Sequence, residues 1–354
     1  MQSWRDVLFL LVLALASSVV FGQTKISIPA GTPEDKSLND IGNESDPQKK
    51  ISMLEEFVKT YSGNPAAVAY GNWQLAQQYA ATDPAKAMSY NDQALAAMPD
   101  VIDIIQSQVD LAQKTKDSGK VLDYAVRGAK VINGLPANEK ESAQPVYQFL
   151  DASAYNAVVS EPDAKKRFAG IETYSAAFAG SPNAKQANVV AVASLSEMND
   201  ITKLADFGEK ALSADPDNVS LLTVMANAYV EDAKPTYLSK ASSYARKAID
   251  LSKSDTSPNG RITEGFAHEI VGYSLLREEK TAQAIPELKT AATMLKSDPA
   301  KYSLTLYRLG YAYAKGNQMA QAREILTEAS GIEGPFQQAS KELLNKVSKS
   351  RAAK

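Results

Sequence analysis

Two segments of this chain carry one skeleton, 38 positions apart: HEIVGYSLLREEKTAQAIPELKTA at 268–291 and LYRLGYAYAKGNQMAQAREILTEA at 306–329. Gly272 matches Gly310, Leu275 matches Tyr313, Ala284 matches Ala322, Leu288 matches Leu326 and Ala291 matches Ala329. No Cys, Ser, Asp or Glu recurs in a catalytic pattern. The matched residues are small or apolar and are spaced by threes and fours, so each segment predicts two amphipathic helices with a break near Glu278–Lys280 or Gly316–Asn317. Small residues where helices cross let two backbones approach, and Leu and Tyr fill the gaps beside them. The duplicated unit is therefore a building block and not a duplicated active site.

A second self-match runs through the first half. Tyr61, Gly63, Pro65, Ala76, Ala94, Leu95 and Pro99 recur as Phe178, Gly180, Pro182, Ala193, Ala211, Leu212 and Pro216, always at an offset of 117. In both copies the two prolines stand 34 apart. Three periods of 34 leave 15 residues over, and the polar stretch NGLPANEKESAQP (133–145) is where a loop insertion is expected. Seven helix pairs follow, starting near residues 66, 101, 140, 183, 218, 258 and 299. An extra helix, KKISMLEEFVKTY (49–61), precedes them, and FQQASKELLNKVSKS (336–350) follows as a cap with a polar outer face, since an open stack must cover its terminal apolar faces. Pro286 falls only a few residues into its helix, where a proline can be tolerated and a kink is the alternative.

Leu309-Gly310, Tyr313, Ala322 and Ala329 form a pattern that also appears as Gly272, Ala284 and Ala291, and as Leu75-Ala76, Tyr79, Ala94 and Pro99. This pattern resembles the tetratricopeptide repeat (TPR) family. His268 and Leu306 stand where that family carries its leading Trp. The resemblance covers residues 47 to 331 and implies an all-α fold, a right-handed superhelical solenoid of antiparallel helix pairs. It further implies that the first helices of the pairs line a concave surface that binds peptides or partner proteins.

The first residues, MQSWRDVLFLLVLALASSVVFGQ, place Arg5 before an apolar run from Val7 to Phe21 that ends in small residues. The run is short for a membrane span, which needs roughly 20 residues, and has the build of a secretory signal. Cleavage is expected at Val20-Phe21-Gly22, with Ala14-Leu15-Ala16 as the alternative. Asp6 cancels Arg5, so an uncleaved anchor is the competing reading. The expectations are residues 1–22 as signal, 23–46 as a flexible lead-in rich in Gly, Pro, Asp, Asn and Ser, 47–332 as the repeats, and 333–354 as cap and tail. The mature protein is then periplasmic or secreted, an exported bacterial-type TPR protein without stable membrane insertion. With no Cys in the chain, no disulfide braces it.

The 38 basic and 41 acidic residues give a formal charge of −3 and form no long run of one sign, so nothing marks a nucleic-acid groove. His268-Glu269 opens like the zinc-protease motif H-E-x-x-H, but Gly272 closes it, and one histidine cannot build that site. His268 is expected to fill core, and neither metal nor cofactor is expected. No G-x-S-x-G, G-x-x-x-x-G-K-[ST] or G-x-G-x-x-G is present. Asp215-Pro-Asp217 reads as a turn. Asn43-Glu44-Ser45 and Asn218-Val219-Ser220 match the glycosylation sequon, and Asn218 also suits a helix N-cap. No catalytic residue is assigned. The function expected is an exported scaffold or adaptor that binds a protein or peptide partner in the cell envelope; the alternative is an exported hydrolase with a cryptic carboxylate pair.

Counting helical turns from the crossing glycines puts Phe266, Glu269, Tyr273 and Arg277, then Leu304, Tyr307, Tyr311 and Lys315, on the inward face. Phe266, Tyr273, Arg277, Tyr307, Tyr311 and Lys315 are the candidate peptide-binding residues. Aromatics beside two cations suit an extended peptide with acidic groups or a C-terminal carboxylate. In the first unit Tyr70, Trp73 and Gln77 fall on the same face without a cation.

Overall fold

A computed structural model describes residues 24–232 and 234–349. The secretory signal expected at 1–22 lies outside the described residues. Among the described residues the regular structure is entirely helical: α1 (Pro33–Asn43), α2 (Pro47–Thr60), α3 (Pro65–Tyr79), α4 (Pro84–Ala97), α5 (Ile102–Lys114), α6 (Ser118–Gly134), α7 (Ala137–Val159), α8 (Ala164–Ala177), α9 (Ala184–Glu197), α10 (Ile201–Ala214), α11 (Val219–Glu231), α12 (Pro235–Ser252), α13 (Pro258–Arg277), α14 (Thr281–Met294), α15 (Pro299–Lys315), α16 (Met319–Gly331) and α17 (Gln337–Lys349). The pairs α3–α4, α5–α6, α9–α10, α11–α12, α13–α14 and α15–α16 pack as TPR-like hairpins. The chain divides into two compact units, 1–150 and 151–354.

Local chemistry starts and stops these helices. Thr32-Pro33, Asp46-Pro47, Asn64-Pro65, Asp83-Pro84, Ser257-Pro258 and Asp298-Pro299 each put a side-chain acceptor at the N-cap and a proline at the first helical position. The cap satisfies a free N–H, and the proline lacks one that would have been orphaned there. Asn218 also caps, its Oδ1 accepting from the Leu221 N–H at 2.9 Å, and Asp215 and Asp217 sit in the turn before it, paired with Lys185 and Lys247.

Four hairpins turn through one device. Lys116, Asn199, Glu279 and Asn317 adopt φ of 57°, 55°, 63° and 58°. The N–H of the next residue reaches back five positions, as in Asp117 to the Ala112 carbonyl (2.9 Å) and Gln318 to that of Tyr313 (2.8 Å). This is the Schellman closure of a helix end.

In the second unit, successive helices pack on one another from α8 to α17, and the first members α9, α11, α13 and α15 also pack in a row. The crossings are close. A Cβ on Gly272 would stand 2.7 Å from Leu288 Cγ, and one on Gly310 would stand 2.5 Å from Leu326 Cγ. Thus the glycine and leucine matched at offset 38 are spatial partners within each hairpin. Ala284, Ala291, Ala322 and Ala329 are fully buried beside them. α14 runs unbroken through Pro286 as an α-helix.

The first unit centres on two apolar clusters. One gathers Ile41, Leu54, Phe57, Ala67 and Leu75; the other gathers Ala69, Leu95, Val101, Ile104 and Ile105.

The structure corrects three expectations. Of the lead-in expected at 23–46, residues 24–46 are described and are not structureless: Ile26 packs against the Val101 cluster, the Thr24 carbonyl accepts from the Ile102 N–H (3.4 Å), and residues 33–43 form α1. That helix carries only Leu38 and Ile41 as its apolar edge, too little to register as a period, yet Ile41 is buried against α2. The insertion at 133–145 is not a loop, since α7 begins at Ala137 and lengthens to 23 residues. Its Ala, Glu, Lys and Gln are strong helix formers on an exposed surface. His268 is half-buried rather than core, with Nδ1 2.6 Å from Glu287 Oε2. That hydrogen bond holds the Glu287 carboxyl below its ordinary range.

Three substitutions test these devices. A left-handed lysine costs about 1–2 kcal/mol, and glycine gives back about 0.5–1 through unfolded-state entropy. Lys116→Gly is therefore expected to stabilise the protein by up to about 1 kcal/mol in urea denaturation, with Asn199→Gly gaining less because asparagine tolerates this conformation. Gly310→Val must push Leu326 aside and is expected to cost about 1–3 kcal/mol or more by the same measurement.

Candidate functional site

The second unit carries a cleft of about 640 Å³ along α13 and α15, closed at one end by the residues before α17. On α13, Tyr273 and Arg277 are one turn apart; on α15, Leu304, Tyr307, Tyr311 and Lys315 follow at three- and four-residue steps. That spacing keeps each set on one face. Phe336 enters from the turn before α17 and stacks on Tyr307, with ring centroids 5.9 Å apart at 28°. Tyr311 is the most exposed large apolar side chain among the described residues, at 44%.

Tyr273, Arg277, Tyr307, Tyr311 and Lys315 thus come together. Phe266 does not line the cleft: it sits two turns earlier on α13, with Lys301 Nζ 5.7 Å from its ring. Glu269, placed on the same inward face by turn counting, is fully buried instead. Sequence reading missed Glu231, Glu279, Arg308 and Phe336. Arg308 follows Tyr307 directly and reads as a solvated charge; the carboxylates that draw it inward lie 39 and 77 residues away. In the first unit, Trp73 is partly buried against the Val101 cluster, as Ile26 is.

Electrostatics organise the cleft floor. Arg308 donates from Nη1 to Glu269 Oε1 (2.6 Å) and from Nη2 to Glu231 Oε1 (2.5 Å), so α15 is tied to α13 and to the C-terminal end of α11. Its guanidinium carbon lies 3.5 Å from the Tyr273 ring centroid, a cation–π contact. Glu269 Oε2 is buried without a partner among the described residues. Burial pushes the Glu269 carboxyl above its ordinary range against the pull of Arg308. For Arg308, burial opposes the charge, but Glu269 and Glu231 outweigh it and hold the guanidinium charged.

The two cations expected to face a ligand are also engaged. Arg277 Nη1 donates to the carbonyls of Val230 and Asp232, the latter at 2.7 Å, closing the end of α11. Lys315 pairs with Glu279 at 2.5 Å. Glu231 also lines a separate recess of about 320 Å³ with Ser196, Asn199 and Asp232 among others. This arrangement offers aromatic surface and fixed charges for holding a chain. Among the described residues no group of three or more metal-ligating side chains converges, and no helix is long and apolar enough to cross a membrane.

No protein-family model and no curated protein matches the chain. Solved structures similar to it include yeast Tom70 (11% identity, TM-score 0.43, covering 94% of this chain and 67% of that one). The TPR domain of P58(IPK) is similar at 14% identity and TM-score 0.32, over 90% of this chain and 98% of that one. BtubC from P. vanneervenii is similar at 15% identity and TM-score 0.37, over 79% and 90%.

Removing Arg308 leaves Glu269 buried and uncompensated, so Arg308→Met is expected to cost about 3–5 kcal/mol. Glu269→Gln keeps an acceptor for Arg308 without the charge. Because the folded carboxyl pKa is raised, the stability it contributes is full below the unfolded value, about 4.3, and is lost as pH rises through the folded one. Glu269→Gln should therefore match the wild type near pH 4 and equal or exceed it at pH 7 in thermal melts.

Proposed function

We propose that the protein is an exported scaffold that holds a partner protein through an extended segment laid in the α13–α15 cleft. The observation that supports this most directly is the cleft itself. Tyr273, Tyr307, Tyr311 and Phe336 present rings on a floor already fixed by the Arg308 ion pairs, so little ordering remains to oppose binding. Aromatic side chains held rigidly in a concave site are typical anchors of protein contacts. Export to the periplasm or exterior is part of the proposal and rests on the tripartite build of residues 1–22.

Crosslinking from the native cell envelope, with Tyr311→Ser as comparison, tests the scaffold. Tyr311 is exposed, so its replacement should leave the melting temperature within about a degree or two of wild type, while the crosslinked partner is lost. A partner retained at full yield would move the site elsewhere. Mass spectrometry of the mature N-terminus tests export: a chain beginning near Gln23 is expected, and an intact Met1 in a membrane fraction would favour the anchored form.

A further inference from the structure

We infer that the segment bound in the α13–α15 cleft is a basic one, an aromatic or leucine anchor with Lys or Arg within two or three residues of it; this rests on the reading above that the cleft is a partner site. The argument lies in which member of each ion pair faces solvent. The Arg308 side chain is 9% exposed, but its partner Glu231 is 51% exposed. Lys315 is 27% exposed and its partner Glu279 is 73% exposed. Arg277 is turned into the carbonyl end of α11, where the helix dipole is negative.

The cations are therefore engaged within the chain, Arg308 deeply so, while the more exposed member of each ion pair is a carboxylate that lines the cleft with the rings. Glu231 also borders the second recess, where Asp232 adds a further acidic group. An acidic ligand would meet Glu231 and Glu279 first and would have to break the Lys315–Glu279 pair or the Arg308 bridge to find a counter-ion. A cationic side chain needs no such rearrangement: it reaches the exposed oxygens directly while its neighbour packs on Tyr307, Tyr311 and Phe336. Like-charge juxtaposition at a contact is costly, and opposite charge speeds encounter.

The test is selection of a random heptapeptide display library on the purified mature protein, with counter-selection on Tyr311→Ser. Expected are cleft-dependent peptides carrying an aromatic residue or Leu next to Arg or Lys. The tightest of these, made synthetically, should bind about three- to tenfold more weakly to Glu231→Gln/Glu279→Gln, which keeps the acceptor for Arg308, and the variant should show a shallower loss of affinity with added salt. Enrichment of acidic peptides that Tyr311→Ser no longer binds would overturn the basic-ligand inference and leave the cleft as a partner site. Absence of any cleft-dependent peptide would overturn both. Wild-type dimers in solution that become monomers in Tyr311→Ser would assign the cleft to a second copy of the chain and also overturn the inference.

Discussion

Close helix crossing is the constraint on which the second unit depends. At Gly272 and Gly310 the facing helix comes so near that Leu288 and Leu326 occupy the volume a Cβ would need. Interiors pack near crystal density, so a crossing of this kind fixes distance and angle together. Once α13 and α14 are locked at Gly272, and α15 and α16 at Gly310, the next positions follow. Ala284, Ala291, Ala322 and Ala329 are fully buried in the same two hairpins. The inward faces of α13 and α15 are then held side by side, and the tyrosines projecting from them form a wall rather than separate surface residues.

The same constraint explains what could be read from the sequence. Gly272, Leu288 and their counterparts at offset 38 repeat because each pair must meet, and that necessity makes the hairpins and the all-α fold legible without coordinates. Tyr273, Arg277, Tyr307, Tyr311 and Lys315 were legible too, since counting turns from a fixed glycine tells which residues share its helix face. Phe266 shares that face as well, but two turns carry it beyond the end of the cleft. Phe336 could not be found in this way, because it arrives from a turn outside the repeat.

Charge was the least legible level. A periodic pattern says that Glu269 points inward but not whether it meets water or another side chain. Its burial depends on Arg308, 39 residues further on, and Arg308 in turn depends on Glu231 from an earlier hairpin. Neither carboxylate lies within a helical turn of the arginine, so no local motif announces the bridge. The lead-in at 24–43 was obscured for a related reason. Thr24 gains its partner from Ile102 of α5 and Ile26 packs on a cluster drawn from α3 to α5, and α1 has just two apolar residues with which to signal its place.

The buried bridge and the exposed rim are two sides of one arrangement. A buried ion pair is a weak source of stability compared with an apolar core of the same volume, and Glu269 even keeps one oxygen without a partner. Its evident structural effect is geometric: Arg308 ties three successive first-member helices together at the floor of the cleft and holds Tyr273 under its guanidinium. Drawing the guanidinium down leaves Glu231 up, half-exposed at the rim. Glu231 thus stays the more exposed member of its pair as a consequence of how the floor is held, although three cations line the cleft.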